Sequence, residues 1–287
     1  MLPKLALVLG GGGSRGIAHV GVLDVLTREN IPIDFIVGTS MGAIVGALFA
    51  AGVSLDTIIR RIGLLQGNNL FSMNIFSARA RQRSVEQQLE PALKDKTFAD
   101  LEIKTVIMAV DMLYGKEIAL DDGLLIPAIL ASSAVPAVFP PVIINGMELA
   151  DGGVVDSLAT HVAYEHGAKK VIAVDVYPAL EKDNPWVDPV SAIMGFELPV
   201  STFSNIWSKT PGMASAMWRA FRVMAWHVHE ERLRANPPNV LLRPDVENYG
   251  SLDFSDIDGP LIAGRRAAEA HLQAIKALVN DGSTAAH

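Results

Sequence analysis

Short apolar runs alternate with helical patterns along most of the chain, and glycine-rich turns separate the two. Leu5–Leu9 is an apolar run, residues 10–16 form a glycine turn, and residues 17–28 carry apolar positions at helical spacing. A second apolar run at 33–37 ends in another glycine turn at 38–42, before a stretch of small residues. This part of the chain therefore predicts two successive units of strand, tight turn and helix.

The same alternation continues after residue 100. A β-branched run at 105–110 predicts a strand, and hairpins are predicted through Gly115 and across 142–149 at Asn145-Gly146. The other predicted elements are helices at 43–51, 157–166 and 260–279, a helical region at 189–234, strands at 171–176 and 240–242, N-caps at Ser54 and at Ser84 with Gln87, and a C-cap at Gly167. This order predicts a three-layer α/β/α fold with a mostly parallel central sheet, and we expect residues 1–287 to form one domain.

Composition narrows the classes of function. The net charge of −7 argues against a nucleic-acid partner, because phosphate binding needs a concentrated excess of Lys and Arg. The chain has no cysteine, which excludes disulfides, thiolate zinc sites and a cysteine nucleophile. The apolar run at 5–9 is too short for the apolar region of a signal peptide. We therefore expect a cytoplasmic protein, with peripheral membrane contact left open.

Two stretches without a charged residue, 35–55 and 123–147, are long enough to resemble membrane spans. Glycines interrupt the first stretch and prolines interrupt the second, so neither predicts a continuous apolar helix. We expect both stretches to be buried core.

The turn Gly38-Thr39-Ser40-Met41-Gly42 has the Gly-X-Ser-X-Gly spacing of a nucleophile elbow. In such a turn the strained backbone makes the serine hydroxyl project from the edge of the sheet. A glycine- and serine-rich turn without catalytic function can match the same spacing, but the strand predicted before it and the helix predicted after it favour the elbow. Ser40 is therefore the candidate nucleophile.

The glycine-rich segment 11–16, GGGSRG, also follows a predicted strand and opens a helix, so its N–H groups are suited to bind an anion. A dinucleotide site is the competing interpretation, but it needs an acidic residue near the end of the second strand, whereas Asp34 lies at that strand's start. Beside a nucleophile elbow, the segment is better suited to form an oxyanion hole. The candidate donors are Gly11, Gly12 and Gly13, and we assign Arg15 a structural role in the loop.

A serine nucleophile needs a base, and a triad would supply a histidine oriented by an acid. The seven histidines are His19, His161, His166, His227, His229, His271 and His287. None of them follows a predicted strand, as a triad histidine should. Asp151 does follow one, in the segment Asp151-Gly152-Gly153, although an ordinary Asp-Gly turn would look the same.

Together with residues 131–140, ASSAVPAVFP, these motifs resemble the patatin-like phospholipase family in its small bacterial form, and they lie within residues 5–176. The resemblance implies a catalytic dyad without histidine, in which Ser40 is the nucleophile and Asp151 is the proton acceptor. The supporting motif positions are Arg15, Gly16, Gly38, Gly42, Gly152 and Gly153. It further implies hydrolysis of acyl esters of phospholipids or lysophospholipids, with no cofactor or metal.

Two rival functions use the same residues. An acyltransferase would pass the acyl group from Ser40 to an alcohol or a carrier thiol, and a lipid-binding or regulatory protein would keep the pocket without turnover. Thr39 precedes the nucleophile where carrier-dependent acyltransferases of related fold have histidine, which favours hydrolysis.

The helical region at 189–234 is rich in aromatic residues, and all four tryptophans lie within 186–226. Met217, Phe221, Met224 and Val228 form a stripe at helical spacing. The positive charges nearby are Lys209, Arg219, Arg222, Arg232 and Arg234. The pattern suits a stripe that faces the core as well as a lid or membrane-contacting surface, and the sequence leaves both open.

Overall fold

The computed structural model describes residues 5–67, 78–136, 138–180 and 212–280. Within these ranges eight strands form one sheet in the order β5-β6-β3-β2-β1-β7-β8, and β4 pairs with β3. The strands are β1 (Leu5–Leu9), β2 (Phe35–Thr39), β3 (Lys104–Asp111), β4 (Lys116–Leu120), β5 (Val142–Ile144), β6 (Met147–Asp151), β7 (Lys170–Val174) and β8 (Val240–Leu242). Strands β1, β2, β3, β7 and β8 are mutually parallel, while β4, β5 and β6 pair in antiparallel fashion.

Helices cover both faces of this sheet. They are α1 (Ala18–Arg28), α2 (Met41–Ala50), α3 (Leu55–Gly67), α4 (Ala78–Leu93), α5 (Leu125–Ser132), α6 (Thr160–Glu165), α7 (Met213–Ala235), α8 (Asp258–Ala270) and α9 (Leu272–Asn280). Alternate residues of the central strands point to opposite faces, so that Leu7 packs in one core and Val8 in the other. The first core contains α1, α2 and α5, and the second is formed with α6 and Leu233 of α7. The predicted three-layer fold is confirmed.

The first charge-free stretch is largely buried as expected. The second is only partly buried, which corrects the prediction: α5 packs in the core, but Leu124 and Ile143 are 51% and 66% exposed. The first contains β2 and α2, and the described residues of the second contain α5 and β5. Strand β2 is buried at every position, which is typical of a central parallel strand covered on both faces. None of the helices in the described ranges is long and apolar enough to cross a bilayer.

Some predicted boundaries were wrong. Ser84 does not cap a helix with Gln87, because both lie inside α4, where Ser84 is buried. A capping box instead occurs at Thr97, whose N–H donates to Asp100 Oδ2 at 2.7 Å. The helix predicted at 157–166 is shorter, since Leu158 N–H donates to the Asp156 side chain instead of to a helical carbonyl. The helix predicted at 260–279 is two helices, α8 and α9, that meet at His271. The part of 189–234 before residue 212 lies outside the described residues.

Helices α1 and α8 approach each other closely because glycine lies at their contact. A Cβ on Gly264 would lie 2.0 Å from the carbonyl oxygen of Ala18, and a Cβ on Gly21 would lie 2.1 Å from that of Leu261. Both distances are far below van der Waals contact, so these positions exclude any side chain. Because α1 directly follows the glycine-rich loop, this contact holds the helix that the loop opens.

We predict that Gly264→Ala separates α8 from α1 and lowers the free energy of unfolding by about 1–3 kcal/mol, the usual cost of overpacking. Gly63→Ala is the matched control, because Gly63 lies in helix α3 with no heavy atom within 4 Å of the added Cβ. That change should raise the free energy of unfolding by up to about 1 kcal/mol. Urea denaturation measures both, and equal midpoints for the two variants would contradict the close helix contact.

Candidate active site

Ser40 lies at the turn between β2 and α2 with a strained backbone. Its φ of 54° and ψ of −120° are outside the regions that L-residues favour. Glycine is needed on both sides, because a Cβ on Gly38 would lie 2.7 Å from Ala43 Cα and one on Gly42 would lie 2.1 Å from the Leu9 carbonyl oxygen. This is the geometry of a nucleophile elbow, as the spacing of the motif predicts.

The edge of β3 brings Asp151 to Ser40. Strand β2 pairs with residues 104–108 of β3, and β6 pairs with 109–111. Since β4 occupies the opposite edge at 107–111, β2 and β6 share one edge of β3 and follow each other along it. Thr39 pairs with Met108, and Asp151 pairs with the next residue, Ala109. Residues more than a hundred positions apart in sequence therefore become neighbours.

The Asp151 carboxyl group accepts a hydrogen bond from the Ser40 side chain. Its Oδ1 also accepts the N–H of Gly153 at 2.8 Å, and its own N–H donates to the Ala134 carbonyl oxygen at 3.1 Å. Burial raises the pKa of Asp151 from 3.8 to about 6, and the two hydrogen bonds to its carboxylate oppose that rise. At neutral pH this carboxylate is ionised and far more basic than an exposed aspartate.

The glycine-rich loop lies against Ser40. A Cβ on Gly11 would lie 3.3 Å from Ser40 Cβ. The Gly11 N–H donates to the Ser157 carbonyl oxygen at 2.9 Å, and the Ser157 hydroxyl donates to the Gly11 carbonyl oxygen at 3.0 Å. Gly11 was expected to be an oxyanion donor, but its N–H group is already bonded. Among the described residues, Gly12 and Gly13 N–H groups donate to no acceptor, so these two remain as candidate donors.

Arg15 has structural contacts. Its guanidinium donates to the Tyr249 carbonyl oxygen at 2.7 Å and to the Ser251 hydroxyl at 2.9 Å, and only 7% of the residue is exposed. Ser14 N–H donates to the Ser251 carbonyl oxygen at 2.8 Å. These bonds hold the glycine-rich loop to residues 249–251.

Five of the six histidines in the described residues have partners outside the site. His19 is fully buried and bonds the Gly10 carbonyl oxygen through Nε2 at 2.7 Å, and burial lowers its pKa to about 4. It is therefore neutral and donates this bond. His161, His166, His229 and His271 bond or pair with residues outside the site. In the parts of the chain that the structure describes, no histidine hydrogen-bonds Ser40 or Asp151.

Sequence reasoning missed the residues that position the pair. The Ser132 hydroxyl, which is fully buried, accepts the Ser40 N–H at 2.9 Å. Ala134, two residues later, accepts the Asp151 N–H. Residues 131–140 had been noted only as a block that resembles the family. The structure gives the block a function, since it holds the backbone of both Ser40 and Asp151.

We predict that Asp151→Asn stabilises the protein at neutral pH. Because the unfolded carboxyl group loses its proton near pH 3.9 and the folded one near pH 6, the wild type loses up to about 3 kcal/mol of stability as the pH rises through this window. The variant lacks this loss, so its advantage in free energy of unfolding should be absent at pH 4 and full above pH 6. Denaturation at several pH values measures the difference.

Asp175→Asn is a control for which we expect the opposite change in the free energy of unfolding. Burial opposes ionisation of Asp175, but bonding to His229 and Tyr177 and the charge of Arg243 hold its pKa below the usual value. Its carboxylate therefore stabilises the fold at neutral pH, and this stabilisation is lost as the pH falls. The variant should be less stable than the wild type above pH 5. A constant advantage of Asp151→Asn at all pH values would contradict the raised pKa of Asp151.

Comparison with known proteins identifies the family of the chain. The family described as patatin-like phospholipase matches residues 7–164. Lysophospholipase NTE1 of Kluyveromyces lactis is 30% identical over 264 residues, which cover 88% of this chain and 18% of that protein. An uncharacterized NTE family protein of Mycobacterium tuberculosis is 32% identical over 283 residues, with coverages of 96% and 48%. The chain therefore spans less than half the length of these curated relatives.

The fold also matches a solved structure. The crystal structure of VipD from Legionella pneumophila aligns with 96% of this chain and 67% of that chain, with a TM-score of 0.53 and 12% sequence identity. This likeness concerns the fold alone. The family match covers more than half of the sequence, and on this ground the chain belongs to the patatin-like phospholipase family.

Proposed function

We propose that this chain is a serine esterase that hydrolyses acyl esters of phospholipids or lysophospholipids with a dyad of Ser40 and Asp151. The observation that carries the proposal is the hydrogen bond from the Ser40 hydroxyl to a buried carboxyl group whose pKa is about 6. Acyl transfer requires a nucleophile in contact with a base whose pKa lies near the working pH.

In the first half of the reaction, Ser40 Oγ attacks the ester carbonyl carbon while Asp151 takes the hydroxyl proton. The carbonyl π electrons move to the oxygen, which becomes an oxyanion bound by the N–H groups of Gly12 and Gly13. Each such donor contributes about 3 kcal/mol of transition-state stabilisation. Collapse of this intermediate breaks the ester C–O bond, and Asp151 returns its proton to the departing alcohol.

Water completes the cycle. Asp151 accepts a proton from a water molecule as the water oxygen attacks the acyl carbon bound to Ser40. The bond from Ser40 Oγ to the acyl carbon then breaks, Asp151 returns the proton to Oγ, and the fatty acid leaves. The same carboxylate therefore acts as base and acid in both halves, so that no histidine is needed.

The substrate class follows from the family and from the site. The name of the Kluyveromyces lactis relative is lysophospholipase, which supports a lipid ester as substrate. The buried site supports an apolar acyl chain, because Ser40 is only 7% exposed and Asp151 6% exposed. We further propose that residues 1–287 act as a single patatin-like domain.

We expect Ser40→Ala and Asp151→Asn each to lower the hydrolysis of p-nitrophenyl acyl esters and of lysophosphatidylcholine by about 10³-fold or more. A fluorophosphonate probe should label the wild type at Ser40 and should not label Ser40→Ala. Because Asp151→Asn is expected to be more stable than the wild type at neutral pH, its loss of activity would not result from unfolding.

The same assays distinguish the rivals. Activity that persists in Ser40→Ala would overturn the dyad, and a wild type that is neither labelled nor active would indicate a binding protein. Added alcohol acceptors test the acyltransferase. If acyl esters of the acceptor form in preference to free fatty acid, the protein transfers acyl groups and the proposed hydrolysis is secondary.

We predict that Ser132→Ala lowers kcat by about tenfold to a hundredfold with little change in KM, because the Ser40 N–H loses its acceptor and the nucleophile shifts. Ser132→Thr keeps a hydroxyl and should restore most of the activity. Ser133→Ala is the control, since the Ser133 hydroxyl bonds only the Ile129 carbonyl oxygen of its own helix. Unchanged kcat in Ser132→Ala would refute the positioning role.

A further inference from the structure

Between residues 213 and 229, helix α7 exposes large apolar side chains and buries two polar ones. Arg222 and His229 are 7% and 5% exposed, whereas Met217 and Met224 are 67% and 61% exposed. Phe221 is 43% exposed. The outward stripe continues through Met213 and Val228. A helix on the surface of a water-soluble protein normally has the reverse arrangement. The stripe predicted from the sequence therefore faces outward and not toward the core.

Polar contacts hold the inner side of α7. Arg222 donates to the carbonyl oxygens of Pro178 and Ala179 at 3.2 and 3.0 Å. His229 lies 3.2 Å from Asp175 Oδ2 and stacks on the Tyr177 ring. These contacts fix the orientation of the helix without using the outward stripe. The apolar side chains of α7 therefore stay exposed because polar contacts on the other side of the helix hold it in place.

These contacts place α7 at the carboxyl ends of the parallel strands, where Ser40 also lies. The segment from Asp175 to Ala179 follows β7, which runs parallel to β1 and hence to β2. At the other end of the helix, Arg232 donates to Glu117 at 2.9 Å and to Asp156 at 3.1 Å. Glu117 pairs with the penultimate residue of β3, and Asp156 follows the Asp151 turn.

A second apolar feature lies at the same edge. The hairpin between β3 and β4 exposes Leu113 by 68% and Tyr114 by 82%, beside Met112 at 45%. Because β3 runs parallel to β2, this hairpin tip leaves the sheet at the end where Ser40 lies. Two apolar features that are distant in sequence therefore flank the same edge of the sheet.

The charge of α7 complements an anionic surface. Residues 213–229 contain Arg219 and Arg222 and no Asp or Glu, and Glu230 is the first acidic residue of the helix. The chain as a whole has a net charge of −7, so this basic stretch is a local exception. Arg222 contributes its charge from the inner side of the helix, where it donates to neutral carbonyl oxygens. Positive charge close to exposed Met and Phe is typical of helices that lie in the headgroup region of a bilayer.

We propose that α7 and the β3–β4 hairpin tip form a docking face for an anionic lipid surface. The stripe of α7 enters the boundary between headgroups and acyl chains, and the sheet edge that carries Ser40 then faces the lipid. The proposed hydrolysis of lipid esters explains why the protein would dock on lipid, and in this respect the inference rests on the proposed function. Binding to the lipid surface itself needs no catalysis.

The test uses the full chain carrying Ser40→Ala, so that no lipid is consumed. Sedimentation with vesicles of phosphatidylcholine, with and without phosphatidylglycerol, measures binding. We expect binding to increase with phosphatidylglycerol and to fall at least about tenfold when Met217→Ser, Phe221→Ser and Met224→Ser are combined. The matched control combines Leu64→Ser and Ile262→Ser, which remove exposed apolar side chains from α3 and α8 and should leave binding unchanged.

A parallel measurement separates docking from catalysis. With Ser40 restored, the α7 triple variant should hydrolyse a soluble p-nitrophenyl ester at the wild-type rate and lose hydrolysis of vesicle lipid. If no ester is cleaved at all, the proposed function fails while the vesicle-binding result still stands.

Three outcomes would overturn the docking proposal. The first is a Ser40→Ala protein that binds neither kind of vesicle, and the second is an equal loss of binding in the control variant. The third is a protein that is dimeric in sedimentation equilibrium, does not bind vesicles, and becomes monomeric in the triple variant. That result would identify the face as a contact between two copies of the chain. Equal binding to both vesicle compositions would overturn the requirement for anionic lipid.

Discussion

The pairing of one edge of β3 with two strands in succession is the constraint on which the site depends. Strands β2 and β6 run in opposite directions along that edge and end opposite consecutive residues of β3, so the last residue of each lies beside the other. A shift of β6 by one residue would turn Asp151 to the opposite face of the sheet. Gly152 permits the approach, because a Cβ there would lie 2.8 Å from the Met108 carbonyl oxygen. Backbone register therefore sets the distance between Ser40, the proposed nucleophile, and Asp151, the proposed base.

The site stores unfavourable energy that the surrounding fold must offset. Ser40 has a positive φ, and Asp151 is a buried carboxyl group without a positively charged partner among the contacts that govern its pKa. Strain of this kind costs about 1–3 kcal/mol for a backbone outlier. Hydrogen bonds from Ser40 N–H to Ser132 and from Asp151 N–H to Ala134 hold both residues in place. The same burial that destabilises the ionised carboxylate raises its basicity, which is what the proposed role of Asp151 requires.

Local sequence patterns predicted the parts of the site whose geometry is local. The elbow at Ser40 follows from glycine spacing between a strand and a helix, and the sheet follows from the alternation of apolar runs. Asp151 was assigned as the base through the family resemblance, because its contact with Ser40 depends on strand register between distant segments. The bond from Gly11 N–H to Ser157 could not be predicted for the same reason, and neither could the contact between Ser132 and Ser40.

The glycine-rich loop connects the site with the rest of the molecule. Ser157 holds Gly11, residues 249–251 hold Ser14 and Arg15, and Val176 packs against Gly12, where an added Cβ would lie 2.7 Å from Val176 Cγ2. Val176 lies in the segment from Asp175 to Ala179, which Arg222 and His229 of α7 contact. The short segment from Asp175 to Ala179 therefore connects α7 with Gly12, a candidate oxyanion donor.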